Sequence, residues 1–470
     1  MTTDRSEFTD VASVADELPA SLPSSSATHE VTVPKLTRSR VQIWGMRSGL
    51  SLVDQGLTSG AGFAVNILLA RWLPAEVYGA FAVTFAAYLF VSGFHNVLLL
   101  EPLSVMGPAR HAERLPAYFR AQVVFHALLT GVLAVVALMA GFVMWRVSPG
   151  SVLIGALVGG GVALPFMLLL WLVRRLCYVV QRPAVASVGS ATYLLFVLAG
   201  MYFLGRLGRL GSCTAFLLMG CGSVVAALLL FWRLGLITRR EANQHRVSWK
   251  GVAKENWFYG RWLVGSTVLF SISSQTQTFL VAAFLGLGAT GTLRAMQVPS
   301  LVMSQVVTAI GLLVLPTFSY DFGKGLADRL RHKAALVSVA LFLAAACFAA
   351  LLLLLGGRVE HLLYGGKYAG HASLMAVLAL IPVCSAFSMG FGMAMRASQK
   401  PHFDLLANAI AAPIGVLSAV YFMRWWGLMG AAASMVVSFA VASVVTYMSY
   451  RKVIMRNTSS PFREDLATRA

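Results

Sequence analysis

This chain contains a series of long apolar runs without any ionisable side chain. Residues 183–205, 210–232, 334–357 and 425–450 have no Asp, Glu, Lys, Arg or His. A helix that crosses a hydrocarbon core of about 30 Å needs about 20 apolar residues, because each residue adds about 1.5 Å. Each of these runs is therefore long enough to cross a bilayer as one helix.

The same criterion predicts an all-α polytopic membrane protein with about twelve transmembrane helices. The predicted spans are 49–70, 78–100, 121–145, 150–173, 184–205, 210–232, 262–286, 290–316, 334–356, 371–393, 404–423 and 427–450. The charge-free stretch 262–293 is too long for one helix, and Gly286, Gly288 and Gly291 favour a tight hairpin within it. Because 58% of the residues are hydrophobic and only 12% are charged, soluble, disordered and fibrous proteins are excluded.

A basic segment halfway along the chain divides the spans into two sets of six. We predict a disordered cytoplasmic tail at 1–34, a first lobe at 35–232, a basic cytoplasmic linker at 233–257, a second lobe at 258–450 and a cytoplasmic tail at 451–470. Both lobes enter the membrane from the same side. The predicted lobes are therefore related by a pseudo-twofold axis along the membrane normal.

Two short sequence echoes favour a duplication. Tyr78-Gly79 follows the first span as Thr290-Gly291 follows the seventh, at an offset of 212 residues. Gln181-Arg182-Pro183 and Gln399-Lys400-Pro401 are related by an offset of 218 residues. Each echo alone is weak, and chance similarity within an apolar sequence is the alternative.

Lysine and arginine are distributed unevenly between the two predicted sides. With the N-terminus in the cytoplasm, the inward segments hold 29 of the 37 Lys and Arg residues and the outward segments hold eight. This distribution satisfies the positive-inside rule and predicts that both termini are cytoplasmic. Topology and attraction to membrane lipids then explain the net charge of +19. No stacking platform or separate domain indicates nucleic-acid binding.

Signatures of enzymes and cofactors are not found in the sequence. The five cysteines lie in apolar runs without metal-ligand spacing, which is typical of small buried side chains. The sequence has no P-loop, GxSxG, HExxH or paired catalytic carboxylates, so we expect no enzyme and no cofactor. A membrane-embedded glycan polymerase needs an outer domain that the longest outward loop, 357–370, is too short to form. A non-transporting scaffold leaves the polar seventh span unexplained.

Two segments resemble a known family. LLARWLPAEVYGAFAV at 68–83 is similar to the junction of the first two spans in polysaccharide flippases, which belong to the multidrug/oligosaccharidyl-lipid/polysaccharide exporter superfamily. HLLYGGKYAGHASLMAVLALIPV at 361–383 resembles the loop that precedes the tenth span in that family.

The resemblance implies alternating access by two lobes around a central cavity. The implied substrate is an undecaprenyl-pyrophosphate-linked oligosaccharide of O-antigen type, flipped from the inner to the outer leaflet of the bacterial inner membrane for surface polysaccharide biosynthesis. Polysaccharide polymerase machinery is an implied partner. The alternative within the superfamily is a cation-coupled multidrug or small-molecule antiporter, and the near absence of intramembrane acids argues against it.

Asp54 is the one carboxylate clearly inside a predicted span. A carboxylate in hydrocarbon is costly, so it needs a function or a partner. Asp54 is either the residue that couples transport to a proton or sodium gradient, or a structural partner of Arg47, seven residues earlier on the same helix face. Both roles are compatible with the sequence.

The seventh span is the most polar. Seven of the eight residues from 271 to 278 carry hydroxyl or amide side chains. Because unsatisfied donors are costly in hydrocarbon, this stretch either faces a wet cavity or packs against other helices. We predict that Gln275 and Gln277, with Gln297 and Gln305 on the eighth span, bind substrate.

Three arginines at the ends of spans are candidates for binding the pyrophosphate. Arg47 and Arg261 precede the first and seventh spans on the inner side, and Arg294 begins the eighth near the outer side. A guanidinium group can hold phosphate oxygens bidentately. We predict that Arg47 and Arg261 recruit the headgroup and that Arg294 is a later contact. The alternative for each is an ordinary interfacial arginine whose head reaches the lipid surface.

His95 lies in the second span. A histidine there is either a pH sensor or a packed side chain with its hydrogen bonds satisfied. For a lone histidine on a helix we expect the packed role.

Overall fold

The first half of the described chain consists of six long helices. A computed structural model describes residues 38–235, 247–398, 400 and 402–455. The helices are α1 (Arg38–Trp72), α2 (Ala75–Arg110), α3 (Leu115–Val147), α4 (Leu153–Val179), α5 (Pro183–Arg206) and α6 (Ser212–Arg233). One π-helical turn, Asn96–Leu100, interrupts the α-helical geometry of α2.

The second half contains two helical runs that are each broken at a glycine. Trp249–Gly323 breaks at Gly286, which has φ +88°, and His402–Tyr450 breaks at Gly427, which has φ +53°. Glycine adopts such left-handed backbone at little cost because it has no Cβ. The helices are therefore α7 (249–285), α8 (287–323), α9 (Ala327–Tyr364), α10 (Ala372–Ala397), α11 (402–426) and α12 (428–450).

The predicted transmembrane architecture is confirmed. Within the described ranges, nine helical stretches are long and apolar enough to cross a membrane. Two of the nine are the runs that break at Gly286 and Gly427, and the less apolar α1 adds a further helix. The count is thus the twelve predicted, and the hairpin predicted within 262–293 lies at Gly286.

Helix α4 is longer than predicted. Its predicted end at 173 was set by the charges of Arg174 and Arg175, but the helix continues to Val179. Both arginines therefore project from a helical turn. Their hydrogen bonds, described below, explain how the helix accommodates two adjacent charges.

Several predicted segments fall partly or wholly outside the described residues. The tail predicted at 1–34 lies outside them, as do 236–246 of the predicted linker and the chain after 455. Helix α7 begins at Trp249, so the last part of the segment predicted as linker is helical. Gln399 and Pro401, two of the three residues in the second echo, are also outside.

The helices pack as two lobes with equivalent internal contacts. In the first lobe, α4 packs against α3 and α6, and α1 packs against α5. In the second lobe, α10 packs against α9 and the α11–α12 run, and the α7–α8 run packs against α11–α12. The repeated pattern agrees with two six-helix lobes.

Among the described residues, the largest buried apolar cluster joins the two lobes at one end. One large cluster contains Leu69 and Phe81 from the first lobe together with Met296 and Leu374 from the second. We call this the sealed end; it carries the α1–α2 and α7–α8 turns. Since burying apolar surface stabilises by roughly 25 cal/mol per Å², the shared cluster holds the two lobes together there.

At the opposite end the two lobes have separate cores, apart from the start of α7, which packs with the first lobe. One cluster, around Leu103 and Tyr118, consists of first-lobe residues with Val252 from the start of α7. Another, around Phe318 and Met395, belongs to the second lobe. We call this the divided end.

Candidate functional site

Helices α2 and α8 cross at the sealed end through two equivalent glycines. A Cβ atom placed on Gly79 would lie 1.8 Å from the carbonyl oxygen of Leu287, and one on Gly291 would lie 2.0 Å from that of Ala75. The two contacts are related by the same 212-residue offset as the first sequence echo. The crossing therefore brings the two segments of the first echo into contact, and only glycine fits at either position.

The loop between α9 and α10 fastens the second lobe to the end of α1. The Lys367 ammonium donates to the carbonyl oxygen of Ala70 at 2.8 Å and also to that of Leu73. The Tyr368 hydroxyl donates to Ala70 at 3.1 Å. The last carbonyls of a helix lack partners within the helix and carry partial negative charge, so a lysine is well suited to them. The loop thus closes the sealed end across the two lobes.

A partly open chamber of about 100 Å³ lies in the first lobe, between α1, α2, α4, α5 and α6. Its walls combine aromatic rings, hydroxyl groups and apolar side chains with one charged residue, Arg174. The lining residues are Thr58, Gly62, Phe85, Tyr88, Leu89, Met167, Leu170, Trp171, Arg174, Ser190, Tyr193, Met219 and Ser223.

Asp54 is completely buried beside this chamber and is fully hydrogen bonded. Arg174 Nη2 donates to its Oδ2 at 2.6 Å, and the Tyr178 hydroxyl donates to the same oxygen. The Ser190 hydroxyl donates to Oδ1 at 2.5 Å. Because a buried charge is costly unless it is paired and hydrogen bonded, these three donors explain how the carboxylate is tolerated. They also tie α1 to α4 and α5.

The partner of Asp54 differs from the residue that the sequence suggested. Helical spacing pointed to Arg47, whose side chain lies outside the described part of the structure. The partner that the structure shows is Arg174, 120 residues away in sequence. Sequence reasoning missed it because the Arg174-Arg175 pair was interpreted as the end of the fourth span. An acid inside one span and an arginine inside another is the signal that could have found the pair.

A second polar cluster lies at the π-helical turn of α2. Arg175 Nη2 donates to Asn96 Oδ1 at 3.3 Å, and the Asn96 amide donates to Glu101 Oε1 at 3.1 Å. Two arginines that are adjacent on α4 therefore serve two separate clusters. π-Helical turns are common at functional sites, because they displace side chains from the regular helix positions.

The polar stretch of α7 lies where helices from both lobes meet. Ser271 is buried, and its hydroxyl is 3.6 Å from a Cβ placed on Gly93 of α2. Gln277 is also buried, with Nε2 3.4 Å from a Cβ placed on Gly415 of α11. These two side chains lie against helices of different lobes, α2 and α11, in accord with the packing alternative.

The other predicted polar residues are spread along α7 and α8. Arg294 Nη1 donates to Gln297 Oε1 at 3.1 Å near the sealed end, so these two predicted residues do lie together. Gln305, two turns further along α8, is exposed. Gln275 is half-buried and donates to the Ser274 hydroxyl at 3.4 Å.

Arg261 and Arg294, the two predicted basic residues whose side chains the structure describes, are not brought together. Arg261 is exposed on α7, and its guanidinium carbon lies 4.5 Å from the centroid of the Phe258 ring. Arg261 precedes the turn between α7 and α8, and Arg294 follows it. Arg261 is therefore nearer the divided end, whereas Arg294 is near the sealed end. Arg47 lies on α1, and its side chain is outside the described part.

The first turns of α7 are bonded to the first lobe, a connection that the sequence did not predict. The Asn256 amide, which is fully buried, donates to the Leu98 carbonyl at 2.8 Å and to Gln122 Oε1 at 2.9 Å. Glu255 Oε2 also lies within hydrogen-bonding distance of His111 Nε2, at 3.1 Å. Helix α7 therefore begins against the first lobe and ends within the second, so it connects the two directly.

Comparison with solved structures identifies the kind of fold. The chain is similar to a multidrug resistance MATE family transporter of the MOP superfamily in its inward-facing conformation, with a TM-score of 0.71 and 14% identity over 87% of this chain and all of that chain. The lipid II flippase MurJ in an inward closed conformation gives 0.62 and 14% over 85% of this chain and 87% of that chain. An outward-facing MATE structure gives 0.60 and 14% over 87% of this chain and 95% of that chain.

No protein-family model and no curated protein matches the chain. At 14% identity, the structural likeness establishes a fold that membrane transporters of this superfamily share. It leaves the substrate to be argued from the chain's own residues.

Proposed function

We propose that this protein is an alternating-access transporter that flips an undecaprenyl-pyrophosphate-linked oligosaccharide from the inner to the outer leaflet of the bacterial inner membrane. The observation that carries the transport mechanism is the distribution of the core, which is shared at the sealed end and, apart from the start of α7, separate at the divided end. The higher TM-score with the inward-facing than with the outward-facing transporter supports the same conformation. With both termini cytoplasmic, the sealed end faces outward.

The contacts at the sealed end define what must change when the transporter opens outward. The Gly79 and Gly291 contacts have to separate, and Lys367 and Tyr368 have to release the end of α1. Because the two glycine contacts are equivalent, a rocking motion of one lobe against the other loosens both together. Helix α7, bonded to the first lobe through Asn256, remains the connection between the lobes.

The charges of the first-lobe chamber favour an anionic or neutral substrate over a cation. Among its lining residues the one charged side chain is Arg174, and the nearby carboxylate, Asp54, is neutralised by it. A cationic drug therefore finds no unpaired carboxylate there. The aromatic rings and hydroxyls suit sugars, which present apolar ring faces and hydroxyl edges.

The predicted binding residues fit this proposal at different stages of the cycle. Arg47 and Arg261 recruit the pyrophosphate at the divided end, and Arg294, with its partner Gln297, is a later contact near the sealed end. Gln275, Gln277 and Gln305 are proposed to bond to sugar hydroxyls as α7 and α8 separate from their neighbours. Coupling to a proton or sodium gradient at Asp54 stays a prediction, and an ion that binds there has to replace the Arg174 guanidinium.

Reconstitution in vesicles tests the proposed substrate. The purified protein is placed in vesicles that contain a polyprenyl-pyrophosphate-linked oligosaccharide with a labelled sugar, and an impermeant glycosidase reports the leaflet in which the label lies. We expect the protein to accelerate leaflet exchange relative to protein-free vesicles. Parallel vesicles loaded with ethidium test cation antiport, which the likeness to multidrug transporters makes the second candidate.

The two assays separate the candidate functions. Glycolipid exchange without ethidium transport supports the flippase. Gradient-driven ethidium transport without glycolipid exchange contradicts it and identifies a cation antiporter.

A further inference from the structure

Two buried histidines of the first lobe form a hydrogen-bonded pair. His95 of α2 and His126 of α3 are 1% and 3% exposed, and His95 Nε2 lies 2.9 Å from His126 Nδ1. The ring planes are nearly perpendicular, at 80°. His95 is therefore not the lone, satisfied histidine that we expected from the sequence.

The contacts of His126 fix the positions of the protons on both rings. His126 Nε2 lies 3.2 Å from the Pro165 carbonyl oxygen, which can only accept a hydrogen bond, so Nε2 carries the hydrogen. In the neutral ring, His126 Nδ1 is then an acceptor, and His95 Nε2 must be the donor to it. This leaves His95 Nδ1 as a bare lone pair.

That lone pair is buried without a partner. His95 Nδ1 has no hydrogen-bond partner among the described residues. Most buried polar atoms in proteins are hydrogen bonded, so an orphan of this kind needs a reason. The carboxylate oxygens of Asp54 already accept hydrogen bonds from three donors. A proton can bind to His95 Nδ1 without breaking any hydrogen bond.

The ionisable groups around the pair are mostly held by other partners. Arg175 and Glu101 are both bonded to Asn96, the neighbour of His95, and Arg174 and Tyr178 are bonded to Asp54. The helices that pack near the pair carry further ionisable groups, which include Asp54 on α1, Tyr88 and Glu101 on α2, Tyr118 and Arg120 on α3, Arg174, Arg175, Cys177 and Tyr178 on α4, and Lys254, Glu255, Tyr259 and Arg261 on α7.

We propose that His95 and His126 form a one-proton binding site that exchanges a proton during transport. A proton on His95 Nδ1 leaves the bond from His95 Nε2–H to His126 Nδ1 intact. A second proton has to bind to His126 Nδ1. His95 Nε2 and His126 Nδ1, which are 2.9 Å apart, would then both be N–H donors with no acceptor between them. The pair therefore accepts one proton and resists a second.

The position of the pair connects this proton to the lobes. Gly93, two residues before His95, lies against α7, where an added Cβ would be 2.9 Å from a methyl carbon of Thr267. The π-helical turn begins immediately after His95. Protonation thus places a positive charge next to the contact between α2 and the helix that joins the two lobes. This use of the proton rests on the proposed transport function.

Nitrogen NMR on histidine-labelled protein in nanodiscs tests the site without any transport substrate. Spectra are recorded from pH 8 to pH 5 for the wild type, His95→Asn, His126→Gln and the control His402→Asn, which removes an exposed histidine. At pH 8 we expect both rings as Nε2–H tautomers. On acidification His95 Nδ1 should protonate with a one-proton transition that His126→Gln shifts or removes and His402→Asn leaves unchanged.

The outcomes decide the proposal separately from the transport function. A His95 signal that does not respond to pH, or that titrates identically in His126→Gln, overturns the site. In the vesicle assay, wild-type glycolipid exchange should vary with pH by up to about tenfold per unit, as one proton allows, and His95→Asn should abolish that dependence. If the NMR transition is present and exchange is absent, the proton site stands and the proposed function fails.

Discussion

At the scale of single residues, the ion pair of Asp54 and Arg174 stabilises the first lobe through a contact between distant parts of the chain. Asp54 is fully buried and the Arg174 side chain is 11% exposed, so neither charge is well hydrated. Removing one partner of such a pair leaves the other buried and unpaired, which typically costs about 3–5 kcal/mol. Removing both charges costs less.

A double-substitution series tests this pair. Asp54→Asn and Arg174→Gln should each lower the unfolding temperature in detergent and reduce glycolipid exchange, and the double variant should recover much of both. If both single variants are as stable as the wild type, the structural role of the pair is wrong. If the double variant is stable but has lost only its gradient-driven exchange, Asp54 is instead the coupling residue.

Arg261 gives a second prediction at this scale. Arg261→Ala should slow glycolipid exchange severalfold, and Arg261→Lys should restore it poorly because an ammonium lacks the planar fork that binds phosphate oxygens bidentately. The matched control is Arg424→Ala, which removes an exposed arginine at the far end of α11. Equal exchange rates in all four proteins would remove Arg261 from the binding site.

Residue-level pairing is also where prediction from sequence was weakest. Asp54 was identified because a carboxylate in an apolar run is conspicuous, but its partner is 120 residues away. His126 is 31 residues from His95 and on a different helix. Helical periodicity relates residues within a few turns, so it cannot identify either contact.

At the scale of helices, the crossing of α2 and α8 determines how the sealed end closes. Each glycine admits a backbone carbonyl of the other helix to a distance that no side chain permits. The first sequence echo located this crossing, although it did not show that the repeated segments touch.

Substitution of the crossing glycines tests the closure. Gly79→Ala and Gly291→Ala should each force α2 and α8 apart and, because the contacts are equivalent, should have similar effects. Spin labels at 206 and 424, on the sealed-end sides of the two lobes, should move further apart in both variants. Gly131→Ala on α3, where nothing lies within 4 Å, should leave the distance unchanged and can stabilise the helix by up to about 1 kcal/mol. An unchanged distance in the crossing variants would contradict the proposed role.

Charge-free runs predicted the number and order of the helices, because the cost of burying charge in hydrocarbon dominates their composition. The same criterion placed the end of α4 too early, because it ends a predicted span at every arginine. Arg174 and Arg175 lie within the helix because each has a polar partner. Similarly, the polar stretch of α7 was noticed from composition, but its contacts with Gly93 and Gly415 required the fold.

At the scale of the whole molecule, the orientation rests on the distribution of basic residues. Single cysteines at exposed positions 371 and 329, in a background without the native cysteines, report opposite ends of the second lobe. In intact cells an impermeant maleimide should modify position 371 and not 329. If only position 329 is labelled, the topology is the inverse of the predicted one and the sealed end faces the cytoplasm.

In the proposed cycle the two lobes open alternately at the sealed end and at the divided end. Electron paramagnetic resonance distances in reconstituted protein test this, with one label pair at 206 and 424 at the sealed end and another at 114 and 329 at the divided end. On addition of the lipid-linked oligosaccharide, we predict a population in which the first distance increases while the second decreases. If both distances stay fixed, or if both change in the same direction, the lobes do not alternate.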